Sequence, residues 1–223
     1  MTFSLAGRCA DTGMLGAVIS TSSPAVGARC IWVRSNAGVV LTQNVTNPSL
    51  GPLGCQVMAD GMGAASALDY ILRTEPDPTY RQLALLDSSG ESADFSGANT
   101  LGVHAVAQGN NCISAGNLLD NTGIPKAMVD AFESSSGHLA DRLLAALDGA
   151  QTAGGEAGPV HSAGLLVYHT QTWPICSLRV DWHDDPIAEL RNVWNVYQPQ
   201  MDNYILRAYQ PADAPSYGVP GDE

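Results

Sequence analysis

Strand-like and helix-like hydrophobic periods alternate in blocks along this chain, and that block order leaves few architectures open. Phe3 to Cys9 alternates apolar with small or polar residues. The turn signal Asp11-Thr12-Gly13 separates it from a second strand, Leu15 to Thr21. Two further apolar runs, Cys30 to Val33 and Gly38 to Val45, flank Asn36 and Gly38, which are turn residues. Helical spacing then takes over. One helix opens at Pro52 with Leu53, Val57 and Met58, and another carries Ala64, Ala67, Leu68, Ile71 and Leu72. Period two returns at Arg81 to Asp87 and Glu91 to Phe95, around the hairpin signature Ser88-Ser89-Gly90. A weaker strand pattern covers Ile113 to Leu118. Two more helical stretches follow, one opening at Pro125 with Met128, Val129 and Phe132, the next carrying Leu139, Leu143, Ala146 and Leu147. Ala163 to His169 and Ile175 to Asp181 read as strands, and Asp185-Pro186 caps a last helix that Pro199 should kink or restart.

Strands, two helices, strands, two helices, strands, helix is not the order of a parallel βαβ sheet. It suits two antiparallel sheets packed face to face with helices outside. The expected fold class is therefore α+β, a four-layer αββα sandwich. It should form a single domain over residues 1–210, with the Pro- and Gly-containing residues 211–223 as a flexible tail. The apolar stripes of the outer helices, with Trp194, raise the expectation of a homo-oligomer.

Charge narrows the partners. Asp, Glu, Lys and Arg make up 14% of the chain, and the net charge is −12; an average domain carries about 25% charged residues. One lysine, Lys126, stands among the basic residues, the rest being arginines. A surface of this kind does not track phosphates, so neither nucleic acid nor an anionic membrane is the expected partner. The first residues lack a basic leader, and no apolar run approaches the roughly 20 residues needed to span a bilayer. Five separated cysteines (9, 30, 55, 112 and 176) contain no C-x-x-C pair and read as buried hydrophobes of a reducing cytoplasm. No metal site and no cofactor is expected. His183-Asp184-Asp185 is explained by capping, and the remaining histidines lack ligand spacing.

Short motifs run through this layout in a fixed order. They are Thr2-Phe3-Ser4, Ala25-Val26-Gly27, Thr42-Gln43, Thr46-Asn47-Pro48 with Gly51, and Arg81-Gln82, followed by Ser96-Gly97, Gly116-Asn117-Leu118-Leu119, Ala131-Phe132-Glu133 and Ala153-Gly154-Gly155. Together they resemble the DUF1028 family of bacterial and archaeal proteins, described as Ntn-hydrolase-like and largely of unknown function, over about residues 2 to 195. Members often carry an acid, an arginine and Gln-Ser-Ala after the paired glycines. Here the stretch is Glu156 to Ala163, without an arginine and with His161 in place of the glutamine.

The resemblance implies a nucleophile at the start of the first strand. Thr2 meets that requirement once Met1 is removed, because its free α-amine, with a pKa of about 7.7–8.0, can take the hydroxyl proton. Gln43, Asn47 and Asn117 are candidates for the pocket and for oxyanion donors. A proteasome-like lysine is missing from its usual place, since Lys126 opens a late helix. Arg29, Arg34 or Arg81 is left to supply positive charge. The leading expectation is an amidohydrolase acting on a small-molecule amide through Thr2. The alternative is a non-catalytic protein of the same fold that binds a small ligand or partner.

Overall fold

The computed structural model describes residues 2–221. Met1, whose removal the Thr2 reading requires, and Asp222 and Glu223 of the expected tail lie outside them. Ten strands form two antiparallel sheets. The strands are β1 (Thr2–Arg8), β2 (Leu15–Thr21), β3 (Ile31–Arg34), β4 (Gly38–Asn44), β5 (Arg81–Asp87), β6 (Ser92–Ser96), β7 (Ala105–Gly109), β8 (Cys112–Asn117), β9 (Ser162–Tyr168) and β10 (Cys176–Val180). The six-stranded sheet runs β10-β9-β2-β1-β8-β7, and the four-stranded sheet runs β3-β4-β5-β6. The five α-helices are α1 (Leu50–Ala59), α2 (Ala64–Thr74), α3 (Ile124–Ser134), α4 (Leu139–Thr152) and α5 (Pro186–Tyr209).

Side-chain alternation sorts these elements into four layers. Ala6, Ala17, Ile19, Val39, Leu41, Ala84, Leu86, Ile113 and Ala115 fill the space between the sheets. The opposite face of the six-stranded sheet, with Phe3, Leu5, Val18 and Leu165, lies under Phe132, Leu143, Leu147, Leu190 and Trp194 of α3, α4 and α5. Val40, Leu83 and Leu85 on the outer face of the four-stranded sheet meet Met58, Ala67 and Ile71 of α1 and α2. Each fully buried large side chain stabilises the fold by about 1.5–3 kcal/mol. The architecture is the αββα sandwich that the block order requires.

Several local features explain where the elements start and stop. Gly51 lets α1 lie against β3, since a Cβ there would sit 1.9 Å from Trp32 Cδ1. The α1 helix opens at Leu50 rather than Pro52. Pro52 occupies the third helical position, where a backbone N–H has no intrahelical partner anyway. Asp87 closes the β5–β6 hairpin: its Oδ1 accepts from Ser89 N (2.9 Å) and Glu91 N (3.2 Å), while its Oδ2 accepts from Ala64 N at the head of α2 (2.9 Å).

The structure sharpens the reading of the sequence at several elements and corrects it at Pro199. The weak pattern at 113–118 is β8, a fully buried strand beside β1. Its partner β7, a half-buried edge strand with little alternation, is not apparent in the sequence. Pro199 does not restart the last helix, which runs unbroken through it; the carbonyl that loses its partner belongs to exposed Asn195. Trp194 belongs to the core rather than to an interface, its Nε1 donating to Asp141 Oδ1 at 2.7 Å. From the last turn of α5, Arg207 donates to Pro215 O (3.0 Å) and its guanidinium lies 3.8 Å from the Tyr217 ring centroid. Among the described residues no helix is long and apolar enough to cross a membrane.

Candidate functional site

At one end of the sandwich the apolar inter-sheet layer gives way to polar side chains. On β1 the alternation that points Ala6 between the sheets also points Ser4 and Thr2 there. The same rule brings Thr21 of β2, Asn117 of β8, Gln43 of β4 and Gln82 of β5 to that end. Ser4 Oγ donates to Gln43 Oε1 (2.7 Å), and Gln43 Nε2 donates to Gln82 Oε1 (2.9 Å). Gln82 Nε2 donates to Ser96 Oγ (3.1 Å) and Gly116 O (3.0 Å). This ladder crosses from one sheet to the other beneath Thr2.

Thr2 heads a central strand, paired to β2 on one side and β8 on the other, and is 7% exposed. Its Oγ1 lies 3.3 Å from Thr21 Oγ1, and its register partner on β8 is Asn117. Next to Thr21 the chain carries Ser22, whose N–H donates to Glu156 Oε2 at 3.1 Å. Glu156 arrives from the loop after α4. Gly154 and Gly155 both take positive φ there, and a bridge between Leu119 and Glu156 then fixes the strand-like approach. Burial pushes the Glu156 carboxyl up to about 7, although hydrogen bonds from Ser22 and Thr21 act in the opposite direction. Its Oε1 is buried without a hydrogen-bond partner among the described residues. A cavity of about 170 Å³ lies beside it, lined by Phe3, Gly154, Gly155 and Ile187.

The structure distributes the expected site residues unevenly. Gln43 stands in the ladder beneath Thr2 with both ends of its amide committed, so it serves the join between sheets rather than an oxyanion. Asn117 is beside Thr2, but its Nδ2 already donates to Asn44 Oδ1 (3.3 Å), and the atom left without a partner is the acceptor Oδ1. An acceptor repels an oxyanion, which corrects the donor role expected of it. Asn47 lies in a different cluster. It donates to Glu75 Oε2 (2.7 Å) and accepts from Ser49 N (3.2 Å). Arg81 belongs to that same cluster, 3.0 Å from Glu75 Oε1 and donating to Val45 O at 2.7 Å. Burial alone would raise the Glu75 pKa, but hydrogen bonds from Asn47 and Arg81 bring it below the usual range.

The two remaining arginines donate elsewhere. Arg29 Nη1 donates to Pro24 O (2.6 Å) and Ala25 O (2.9 Å). Arg34 donates to Gln56 Oε1 (2.6 Å) at the far end of the four-stranded sheet. A cavity of about 590 Å³ is at that far end too, lined by Trp32, Arg34, Gln56 and Tyr168. Lys126 makes an exposed ion pair with Asp130. Asp185 caps α5 through Ala188 N (3.3 Å). Among the described residues no three His, Cys, Asp or Glu side chains group as metal ligands. Glu156 is the residue that reading the sequence for site residues missed. Its signal was the pair of glycines before it, which otherwise reads as a turn.

Fold and site together define a class: a four-layer αββα protein with a threonine heading a central strand of its inter-sheet face. Within that class the chain belongs to DUF1028, a family of unknown function, whose profile matches residues 2–190. A crystal structure of a Silicibacter pomeroyi protein assigned to the same family is 30% identical, with a TM-score of 0.82 over 87% of this chain and 88% of that one. Anbu, the ancestral beta-subunit, from Yersinia bercovieri is 9% identical with a TM-score of 0.42, covering 91% of this chain and 97% of that one. Anbu from Hyphomicrobium sp. strain MC1 is 11% identical with a TM-score of 0.37, covering 97% and 100%. Similarity at those two levels carries no argument about this chain. No curated protein matches it.

Proposed function

We propose that this protein is an N-terminal-nucleophile (Ntn) amidohydrolase that cleaves a small amide through Thr2 after Met1 is removed. The observation that carries the reading is the position of Thr2. It heads a central strand on the inter-sheet face, its Oγ1 3.3 Å from Thr21 Oγ1, with the buried carboxyl of Glu156 on the Thr21–Ser22 corner. Once Met1 is gone, the Thr2 α-amine takes the Oγ1 proton as Oγ1 attacks the substrate carbonyl. The C–O bond forms, the ammonium returns its proton to the leaving nitrogen, and the C–N bond breaks. Water then attacks the ester carbonyl, giving a proton to the same amine; the C–Oγ1 bond breaks as the ammonium passes that proton to Oγ1, which releases the acid and restores Thr2. Glu156 next to this chemistry stabilises the transient ammonium as its counter-charge. With the side-chain amides of Gln43, Asn47 and Asn117 committed elsewhere, backbone N–H groups are left to hold the oxyanion.

Intact mass spectrometry of the protein expressed in bacteria tests the first requirement, since quantitative retention of Met1 would end the mechanism. With Met1 absent, a β-lactone should add its mass to the N-terminal peptide, and Thr2→Ala should abolish the addition. Ligand binding without labelling would instead support a non-catalytic binder of the same fold.

A further inference from the structure

The amide beside Thr2 is turned by its neighbours. Asn44 Oδ1 accepts the Leu101 N–H (3.2 Å), while its Nδ2 donates to Tyr80 O (2.7 Å) and Asn99 O (3.4 Å). Backbone groups thus fix which way Asn44 points. Asn117 has to present Nδ2 to Asn44 Oδ1, and its own Oδ1 is then left without a hydrogen-bond partner among the described residues. Asn117 is 1% exposed. A buried acceptor that the protein does not satisfy is a place for a donor from outside.

An apolar rim adjoins this pair. Val45 follows Asn44, and Leu101 and Val103 belong to the loop that binds the end of β8, through Leu118 N to Leu101 O (3.0 Å) and Leu119 N to Val103 O (2.9 Å). All three are large apolar side chains between 41% and 48% exposed. The backbone is strained at the same place, with φ of +72° at Asn44 and +54° at Leu118.

We propose that the Thr2 site selects amides in which a hydrogen-bond donor adjoins an apolar group, the donor meeting Asn117 Oδ1 and the apolar group lying on Val45, Leu101 and Val103. The class is N-acylated amino compounds and short apolar peptides, whose secondary amide supplies the N–H. This inference rests on the Thr2 reading. The substrate carbonyl has to point its oxygen away from Asn117 Oδ1, since two acceptors repel each other.

Three α-acylamino-β-lactones test it on the Met1-free protein: a hexanoylamino compound, its N-methyl counterpart and its acetylamino counterpart. The hexanoylamino compound should label Thr2 about tenfold faster than the N-methyl one and about tenfold faster than the acetyl one. The double variant Val45→Ser, Leu101→Ser, changed at exposed positions, should bring the hexanoyl-to-acetyl ratio close to one. Wild-type ratios near one overturn the proposal. So does a variant that dissociates a dimer while leaving the hexanoyl-to-acetyl ratio intact, because the rim would then be a subunit contact. If no lactone labels the Met1-free protein, the Thr2 reading fails. Calorimetric titration of Thr2→Ala protein with hexanoylglycine amide and its N-methyl form then decides the inference. Binding about tenfold tighter for the N–H form sustains it, and equal or absent binding overturns it.

Discussion

Replacing Glu156 by glutamine removes a buried titrating group and keeps an oxygen to accept the Ser22 N–H, so the effect of the variant should depend on pH. The Glu156 carboxyl moves from 4.5 to about 7 on folding because burial disfavours the ionised form. A raised carboxyl pKa means that the folded state binds its proton more tightly than the unfolded chain. That contribution is fully present below pH 4.5 and is lost as pH rises through about 7. At about 1.4 kcal/mol per pH unit, the loss is roughly 3 kcal/mol between those limits. Glu75 and Asp87, whose pKa values are lowered, act in the opposite sense at lower pH. They are present in both proteins and cancel in the difference. Thermal unfolding of wild type and Glu156→Gln at pH 4.5 and at pH 8 measures it directly. The Tm of the variant should rise relative to wild type by about 6–12 °C across that interval. Parallel Tm curves would refute the placement of a buried carboxyl with a raised pKa beside Thr21 and Ser22.

Two further expectations concern the frame around the site. Arg81→Met leaves Glu75 buried with its hydrogen bond from Asn47 but without its counter-charge, and urea unfolding at pH 7 should report a loss of about 3 kcal/mol. Gly51→Ala places a Cβ 1.9 Å from Trp32 Cδ1 and should cost about 1–3 kcal/mol in the same assay; adding Trp32→Leu should recover part of that loss.

The sheets and helices were legible in the sequence because their faces are regular. Leu15–Thr21 and Arg81–Asp87 carry strand composition between clear turn signals, and their observed bounds match the expected ones. The misses have a common physical origin. The irregular edge strand β7 takes its conformation from β8 and α3 rather than from its own pattern, and Pro199 is tolerated because water can satisfy the freed carbonyl. At the site, the family resemblance pointed to Thr2 at the start of the first strand. It could not tell which of the three amides and three arginines would be consumed by structural hydrogen bonds. Asn47 and Arg81 fall near each other in space because β4 and β5 pair Asn44 with Arg81, a long-range register that no local spacing encodes. Glu156 lies 154 positions after Thr2 and joins its corner through the Leu119 bridge and the Ser22 N–H.

The polar end of the inter-sheet layer separates into two kinds of group. Ser4, Gln43, Gln82 and Ser96 satisfy one another in a closed ladder, and stability accounts for them: two sheets gain a specific join where apolar contact ends. Asn117 Oδ1 and Glu156 Oε1 are different. Both are buried acceptors with no partner among the described residues, and they flank the Thr2–Thr21 corner from opposite sides, one through β8 and one through the Gly154-Gly155 loop. A fold selected for stability alone would pair or replace such atoms, since each one costs about 1–3 kcal/mol. Two acceptors left open around one hydroxyl have a shared explanation if donors arrive from outside the described structure. On the proposed mechanism the Thr2 ammonium would supply one toward Glu156, and a substrate N–H would supply one toward Asn117. On that argument the unsatisfied atoms point to function more strongly than the satisfied ladder does, because only they lack a structural reason to be polar.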